Sequence, residues 1–226
     1  MIVDLHVHTT RGSSDSSLDP ADLIDTASAY GIDGICLAEH SLIWDDGSLK
    51  DLAADSGITL FSAREIETNL GHVIAVGLIR FEGGMHVFEK LKKSAREQGA
   101  ALVFAHPFRH HTTSVNGQKC LLTNQLGLLD ASAPEIAGTV DQLSSVDAIE
   151  TLNAATSDDD NEFAASVAKL LAAATTGGSD AHSTAGIGSA VTLIDGEATR
   201  TADLAEAIRS GACRASLRNG DRTTNS

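Results

Sequence analysis

Residues 2–8 read IVDLHVH, with Ile2, Val3, Leu5 and Val7 apolar and Asp4, His6 and His8 polar. That alternation is the period of a half-buried strand. With a period of two, His6 and His8 project to one face, and Asp4 is expected on that face as well, accepting a hydrogen bond that fixes the tautomer of one ring. Pro20 then opens PADLIDTASAYG, an amphipathic helix stopped at Gly31. The chain therefore begins with a strand followed by a helix, and the rest can be read outward from that unit.

The unit recurs. GICLAEH ends a second strand at His40, a short helical stretch covers about residues 48–55, and GITLFSAREIE forms a third strand from Gly57. HVIAVGLI, residues 72–79, follows Asn69 and Gly71 and is expected to form a hairpin with the third strand. A helix in MHVFEKLKKSAREQG leads to the apolar strand AALVFAHP, residues 100–107. Residues 107–133 are mixed and polar and are expected to be a long loop or short helices over one end of the fold. A helix near 134–143, the strand VDAIETLN, an acid-started helix from Asp158, the glycine-rich TTGGSDAHS, the strand AVTLI and the helix TADLAEAIRSG follow. Alternating strands and helices point to an α/β barrel or an open parallel sheet, in one domain over residues 1–226 with a frayed tail after about residue 217.

Composition narrows the function. The chain has 226 residues, 42% hydrophobic and 21% charged, enough for a substantial core. No apolar run has the length of a membrane span, and the polar first segment does not resemble a signal peptide. Three widely spaced cysteines, Cys36, Cys120 and Cys213, suit neither a disulfide framework nor a thiolate zinc site, so a cytoplasmic location is expected. A formal net charge of -15 disfavours stable duplex nucleic-acid binding, yet a small anionic substrate remains compatible because cations in a cleft reverse the local field.

The chemistry-bearing residues fall at strand ends. They are His6 and His8, Asp15 in the first loop, His40, Glu65, His72, His106, and Asp180 with His182. Six of the nine histidines sit at these junctions, where an α/β barrel gathers its functional groups at one mouth. Nitrogen and oxygen donors of this kind suit two or three borderline divalent cations, Zn, Mn or Fe, with Glu65 or, two residues on, Glu67 as the bridging carboxylate. Arg109 and Arg11 are candidates for binding substrate phosphate, and His110 for lining the mouth, with His111 beside it. His86 reads as a surface residue early in a helix, and Trp44 and Asp45 as part of a loop folded over the mouth.

DLHVHT, the LAEH strand end, REIE followed by GHVIAVGL, AHP and GSDAHS together resemble the motif series of the PHP (polymerase and histidinol phosphatase) superfamily, over roughly residues 3–190. The resemblance implies a distorted seven-stranded (β/α)7 TIM-like barrel, up to three metals and phosphoesterase activity. It further implies one ion near His6, His8, Glu65 and Asp180, a second near Glu65, His72 and His106, and a third near Asp15, His40 and His182. Members usually carry Asp before the second-motif histidine; here it is Glu39, a longer side chain still able to accept a hydrogen bond behind the site.

The expected reaction is hydrolysis of a phosphomonoester or small phosphodiester by a metal-bound hydroxide, with a small phosphorylated substrate and no covalent intermediate. Two alternatives are an amidohydrolase acting on C–N bonds and a non-catalytic PHP-like scaffold. Many amidohydrolases bridge their metals with a carboxylated lysine, whereas the six lysines here lie in predicted helices or loops.

Overall fold

A computed structural model describes residues 1–113 and 115–217; the tail expected to fray lies outside the described residues. The apolar alternation of the first segment becomes β1 (Ile2–Val7), and Pro20 opens α1 (Pro20–Ala29), whose first turn is capped by Asp19 accepting from Ala21 N at 2.8 Å. β2 (Gly34–Glu39), α2 (Asp46–Leu52), β3 (Thr59–Thr68) and β4 (Gly71–Val76) follow, with β3 and β4 paired as the expected hairpin. Next come α3 (Phe88–Gln98), β5 (Ala101–Phe104), α4 (Leu121–Gln125) and α5 (Ala133–Thr139). β6 (Ala148–Asn153), α6 (Asp158–Leu171), β7 (Ala174–Gly178), β8 (Ala190–Ile194), α7 (Thr201–Arg209) and β9 (Cys213–Leu217) complete the order.

The seven-strand expectation needs correction: the described residues form one sheet of nine strands in the order β7-β6-β5-β4-β3-β2-β1-β8-β9. β4 and β8 run antiparallel to their neighbours, so the sheet is mixed rather than a regular (β/α)7 repeat. The two strands absent from the sequence reading are β7 and β9. β7 is ATTGG, a sequence of low strand propensity. Its glycines have a tertiary reason, because a Cβ on Gly177 would stand 2.5 Å from Val191 O and one on Gly178 would stand 2.3 Å from His6 Cβ.

That close approach nearly closes the barrel. The end of β7 returns to β1 through Asp180 N–H donating to His6 O at 2.7 Å and His8 N–H donating to Ala181 O at 3.0 Å. Gly177 N–H donates to Thr192 Oγ1 at 2.9 Å, tying β7 to β8. Inside, Val3, Leu5, Cys36, Ala38, Phe61, Ala63, Ile74, Val76 and Val103 share one core with Leu204, Ala205 and Ile208 of α7. Outside, α1 packs Leu23 and Ala27 with Ile35 and Leu37, while α3 and α6 bring Phe88, Leu91 and Val167 to Val73, Phe104 and Ile149. Each fully buried Val, Leu, Ile or Phe side chain among these contributes about 1.5–3 kcal/mol.

Cys36, Cys120 and Cys213 are buried free thiols, and burial pushes the Cys36 thiol far up and the Cys213 thiol up to about 11. Among the described residues, no helix is long and apolar enough to cross a membrane.

Candidate metal centre

The strand ends meet at one mouth because β1, β2, β3, β5, β6 and β7 deliver their carboxyl ends there, while β4, running the other way, delivers its first residues. His72 at the start of β4 thus arrives beside Glu65 near the end of β3. Between Asp4 and Val7 the register of β1 against β2 shifts. This bulge breaks the strict alternation assumed from the sequence.

Glu65 is the centre of the arrangement. Its Oε1 lies 3.0 Å from His72 Nδ1, 3.1 Å from His106 Nε2 and 3.5 Å from His6 Nε2, and its Oε2 lies 3.4 Å from both His8 Nε2 and His40 Nδ1. Asp180 stands opposite, its Oδ1 3.4 Å from His8 Nε2 and 3.6 Å from His6 Nε2. Asp15 lies on the rim, 56% exposed, with Oδ2 3.4 Å from His40 Nε2 and 3.3 Å from His182 Nε2. All nine sequence candidates for metal binding are therefore brought together. Sets of three donors lie close enough to share an ion in the groups His6–His8–Glu65, His6–His106–Asp180, Glu65–His72–His106 and His8–His40–His182.

These residues fit divalent cations on two counts. His6 Nε2 and His8 Nε2 are buried and make no hydrogen bond, an expensive state for polar atoms unless something else takes their lone pairs. Secondly, the 3.4–3.6 Å gaps from these nitrogens to the Glu65 and Asp180 oxygens are too long for good hydrogen bonds. They match the spacing of ligands sharing an ion at bond lengths of about 2.0–2.2 Å, which is about 2.8–3.6 Å for octahedral to tetrahedral geometry.

The far sides of the rings show how the lone pairs are aimed. His6 Nδ1 lies 3.0 Å from Glu150 Oε1, and a carboxylate only accepts, so in the neutral ring the proton sits on Nδ1 and Nε2 has the lone pair that a cation would take. Ser13 Oγ donates to Glu39 Oε2 at 2.7 Å and accepts from His40 N at 3.2 Å, which leaves it to accept the Nδ1 proton of His8 at 3.1 Å. His182 Nδ1 donates to Asp180 O at 2.9 Å.

Several expectations are corrected here. Asp4 does not support a histidine ring; it accepts from the backbone N–H groups of Ser179 at 2.9 Å, Gly188 at 2.8 Å and His6 at 3.4 Å. Glu150 holds His6 instead, and its Oε2 accepts from His106 N at 2.8 Å and Asn153 Nδ2 at 3.0 Å. Glu39 acts behind the site through Ser13, and it also accepts from Thr9 N, Thr9 Oγ1 and Trp44 Nε1. Trp44 is thus an anchor for Glu39 and Asp45 the N-cap of α2, rather than parts of a cover over the mouth. His111 is a packing residue, 3.1 Å from Ala131 O through Nε2 and with its ring 4.2 Å from that of Phe163. His86 is exposed and precedes α3 in a turn.

Arg109 reaches the cluster: its Nη2 donates to Asp180 Oδ2 at 2.5 Å and Asn153 Oδ1 at 2.9 Å, and its Nε to Thr156 Oγ1 at 3.0 Å. His110 is held by its backbone, its N–H donating to Asp160 Oδ2 at 2.9 Å, and its ring makes no hydrogen bond or ring contact with the cluster. Arg11 is exposed, with no side-chain hydrogen bond or ion pair among the described residues. Ser13 was missed from sequence because its importance lies in its neighbours, and only the serine-rich TTRGSSD loop gave a local hint.

The charges are strongly coupled. Burial alone would raise the Glu65 carboxyl, but His6, His106 and His72 hold it well below the ordinary range. Burial likewise opposes charge on His6, yet Asp180, Glu150 and Glu65 raise its pKa well above normal, so a cation at Nε2 would take the place of a proton there. Desolvation lowers His8 and His106. His106 and Asp180 also adopt left-handed backbone, with φ of 29° and 55°, strain of a kind concentrated at functional sites.

The fold and this donor set define a class: a barrel-like α/β protein with a histidine and carboxylate cluster at its mouth. Residues 158–213 match the PHP-associated family model. A 5'-3' exoribonuclease from Haemophilus influenzae is 30% identical over 101 residues, covering 43% of this chain and 36% of that protein. An uncharacterized protein of Methanocaldococcus jannaschii is 26% identical over 118 residues, 48% of this chain and 68% of its own. Among solved structures, PsfC from Pseudomonas syringae superposes with a TM-score of 0.61 at 21% identity, over 96% of this chain and 91% of its own. An amidohydrolase from Chromobacterium violaceum gives 0.62 at 15% identity over 98% and 99%. A Bifidobacterium adolescentis protein provisionally assigned as a metal-dependent phosphoesterase gives 0.55 at 15% identity over 80% and 87%. The ordered motif series and the PHP-associated match over residues 158–213 both liken this chain to the PHP superfamily and support that kinship.

Proposed function

We propose that this protein is a metal-dependent hydrolase acting on a phosphomonoester or small phosphodiester, with His6, His8, Asp15, His40, Glu65, His72, His106, Asp180 and His182 holding two or three divalent cations. The observation that carries the reading is Glu65, whose two oxygens face five histidines while the buried Nε2 atoms of His6 and His8 have no hydrogen-bond partner. Cations of this type neutralise a phosphate and acidify water, which addresses both obstacles to ester hydrolysis. Glu150 Oε1 and Ser13 Oγ keep the protons of His6 and His8 on Nδ1 and so keep both Nε2 lone pairs aimed inward. Arg109 adds a planar cation: its Nη1 makes no hydrogen bond among the described residues and is available to an oxygen of the substrate phosphate.

The likeness to an exoribonuclease supports ester cleavage at phosphorus, while the net charge of -15 favours a small substrate over a long polyanion. The likeness to an amidohydrolase supports the shared barrel, but the lysine ion pairs among the described residues join Lys92 to Glu89 and Lys93 to Glu97, away from the cluster. The test is elemental analysis of gently purified protein, then one panel of phosphoesters, amides and nucleobases on that preparation. Bound transition metal with phosphoester turnover is expected. Turnover of amides alone, or full activity in a metal-free Glu65→Ala variant, overturns the reading.

A further inference from the structure

A cavity of about 350 Å³ adjoins the cluster, walled by the donors His40, Glu65 and His72 and by Arg64, Phe81 and His86, with Glu67 also on its lining. Arg64 is partly buried, and its guanidinium carbon lies 3.9 Å from the centre of the Phe81 ring. Its Nε donates to His40 O at 3.1 Å, while Nη1 and Nη2 make no hydrogen bond or ion pair among the described residues. Phe81 is edge-on to His86 at 5.4 Å, and His86 Nδ1 lies 2.8 Å from Glu67 O. A partly desolvated guanidinium without a carboxylate partner is costly, and its two outer nitrogens form a fork shaped for an oxyanion.

We propose that this cavity receives the part of the substrate beyond the scissile ester, and that Arg64 pairs there with a second oxyanion on that part, a carboxylate or a phosphate. The inference rests on the phosphoesterase reading and narrows it to esters whose alcohol portion is itself anionic. Phe81 fixes one face of the guanidinium and His40 O fixes Nε, so the outer fork is held in place before substrate arrives. Glu67 opposes an anion here, and neutralising it strengthens binding.

The test compares kcat/KM of metal-reconstituted protein for phenyl phosphate, para-carboxyphenyl phosphate and para-phenylene bisphosphate in wild type, Arg64→Gln and Arg64→Lys. Wild type is expected to prefer an anionic probe, and which one it prefers identifies the carboxylate or the phosphate. In Arg64→Gln that preference over phenyl phosphate falls about ten- to hundredfold, mainly through KM, and Arg64→Lys retains part of it. A ratio unchanged in Arg64→Gln overturns the proposal. Turnover of none of the three by wild type overturns the phosphoesterase reading, and the cavity is then judged by binding alone. For that, phenylphosphonate is titrated calorimetrically into chelator-treated protein. At least tenfold weaker binding in Arg64→Gln and tighter binding in Glu67→Gln support the site; equal affinity in wild type and Arg64→Gln, or none in wild type, overturns it.

Discussion

Gly178→Ala tests whether the approach of β7 to β1 builds the metal centre. The added Cβ would stand 2.3 Å from His6 Cβ and 2.9 Å from both Glu150 Oε1 and His6 N. Carbon atoms prefer about 3.5–4.0 Å, so β7 and β1 must separate by about 1.2 Å or more at this point. Neither side yields easily: Gly178 is paired with Asn153 on β6, and Ser179 N–H donates to buried Asp4 at 2.9 Å. Overpacking of this kind costs about 1–3 kcal/mol, and for a protein of this size that is about 2–12 °C in melting temperature. The same displacement moves His6 and its Glu150 bond, and a misplacement of about 1 Å costs about a hundredfold in turnover. Thermal melts with and without divalent cation, metal content and turnover on the best phosphoester give the readout. Gly138→Ala on α5 is the control, because no atom lies within 4 Å of its added Cβ and helix propensity makes it stabilising by about 0.5–1 kcal/mol. If Gly178→Ala melts with wild type, binds the same metal and turns over normally, the close-approach argument is wrong.

Two further outcomes follow from the polar network. Ser13→Ala leaves His8 Nδ1 without an acceptor and Glu39 without one of its donors, so stability falls by about 1–3 kcal/mol and metal affinity by about 10–100-fold. Calorimetric metal titration checks this, and unchanged affinity removes Ser13 from the set that orients His8. Asp160 accepts from His110 N, Thr112 N and Thr112 Oγ1; burial pushes its pKa up, but these bonds hold it below the ordinary value. Because the folded pKa is depressed, the stabilisation is present above the unfolded carboxyl pKa of about 3.9 and is lost as pH falls through the folded value. Acid melts of wild type and Asp160→Asn are therefore expected to differ near pH 6 and converge at the acid end; parallel curves contradict the assignment.

Residue type carried much of the site. Six histidines, Asp180 and an acid of the third strand at strand junctions, with Asp15 in the first loop, read as a cluster from spacing, while the choice of Glu65 over Glu67 came from the family resemblance. Of the supports behind them, Glu39 was read as an acceptor behind the site, but its partner Ser13, 26 positions away, and the reach of Glu150 to His6 across 144 positions were not readable. The stretch 107–133 was also opaque. It divides its work, Arg109 entering the cluster while His111 packs against Phe163, and pattern does not distinguish two such neighbours.

By itself the sequence determined the alternation of strands and helices, the donor set and the strongly acidic surface, because each depends on residue type or on short periodicity. Only the tertiary structure decided that nine strands rather than seven form the sheet, that ATTGG is one of them, and that Glu150 rather than Asp4 holds His6. For ATTGG and for His6 the physical reason is of one kind. A glycine strand is favoured only where a neighbouring backbone leaves no room for a side chain, and a bulge in β1 changes which face each residue meets; neither condition is written in the residues that obey it.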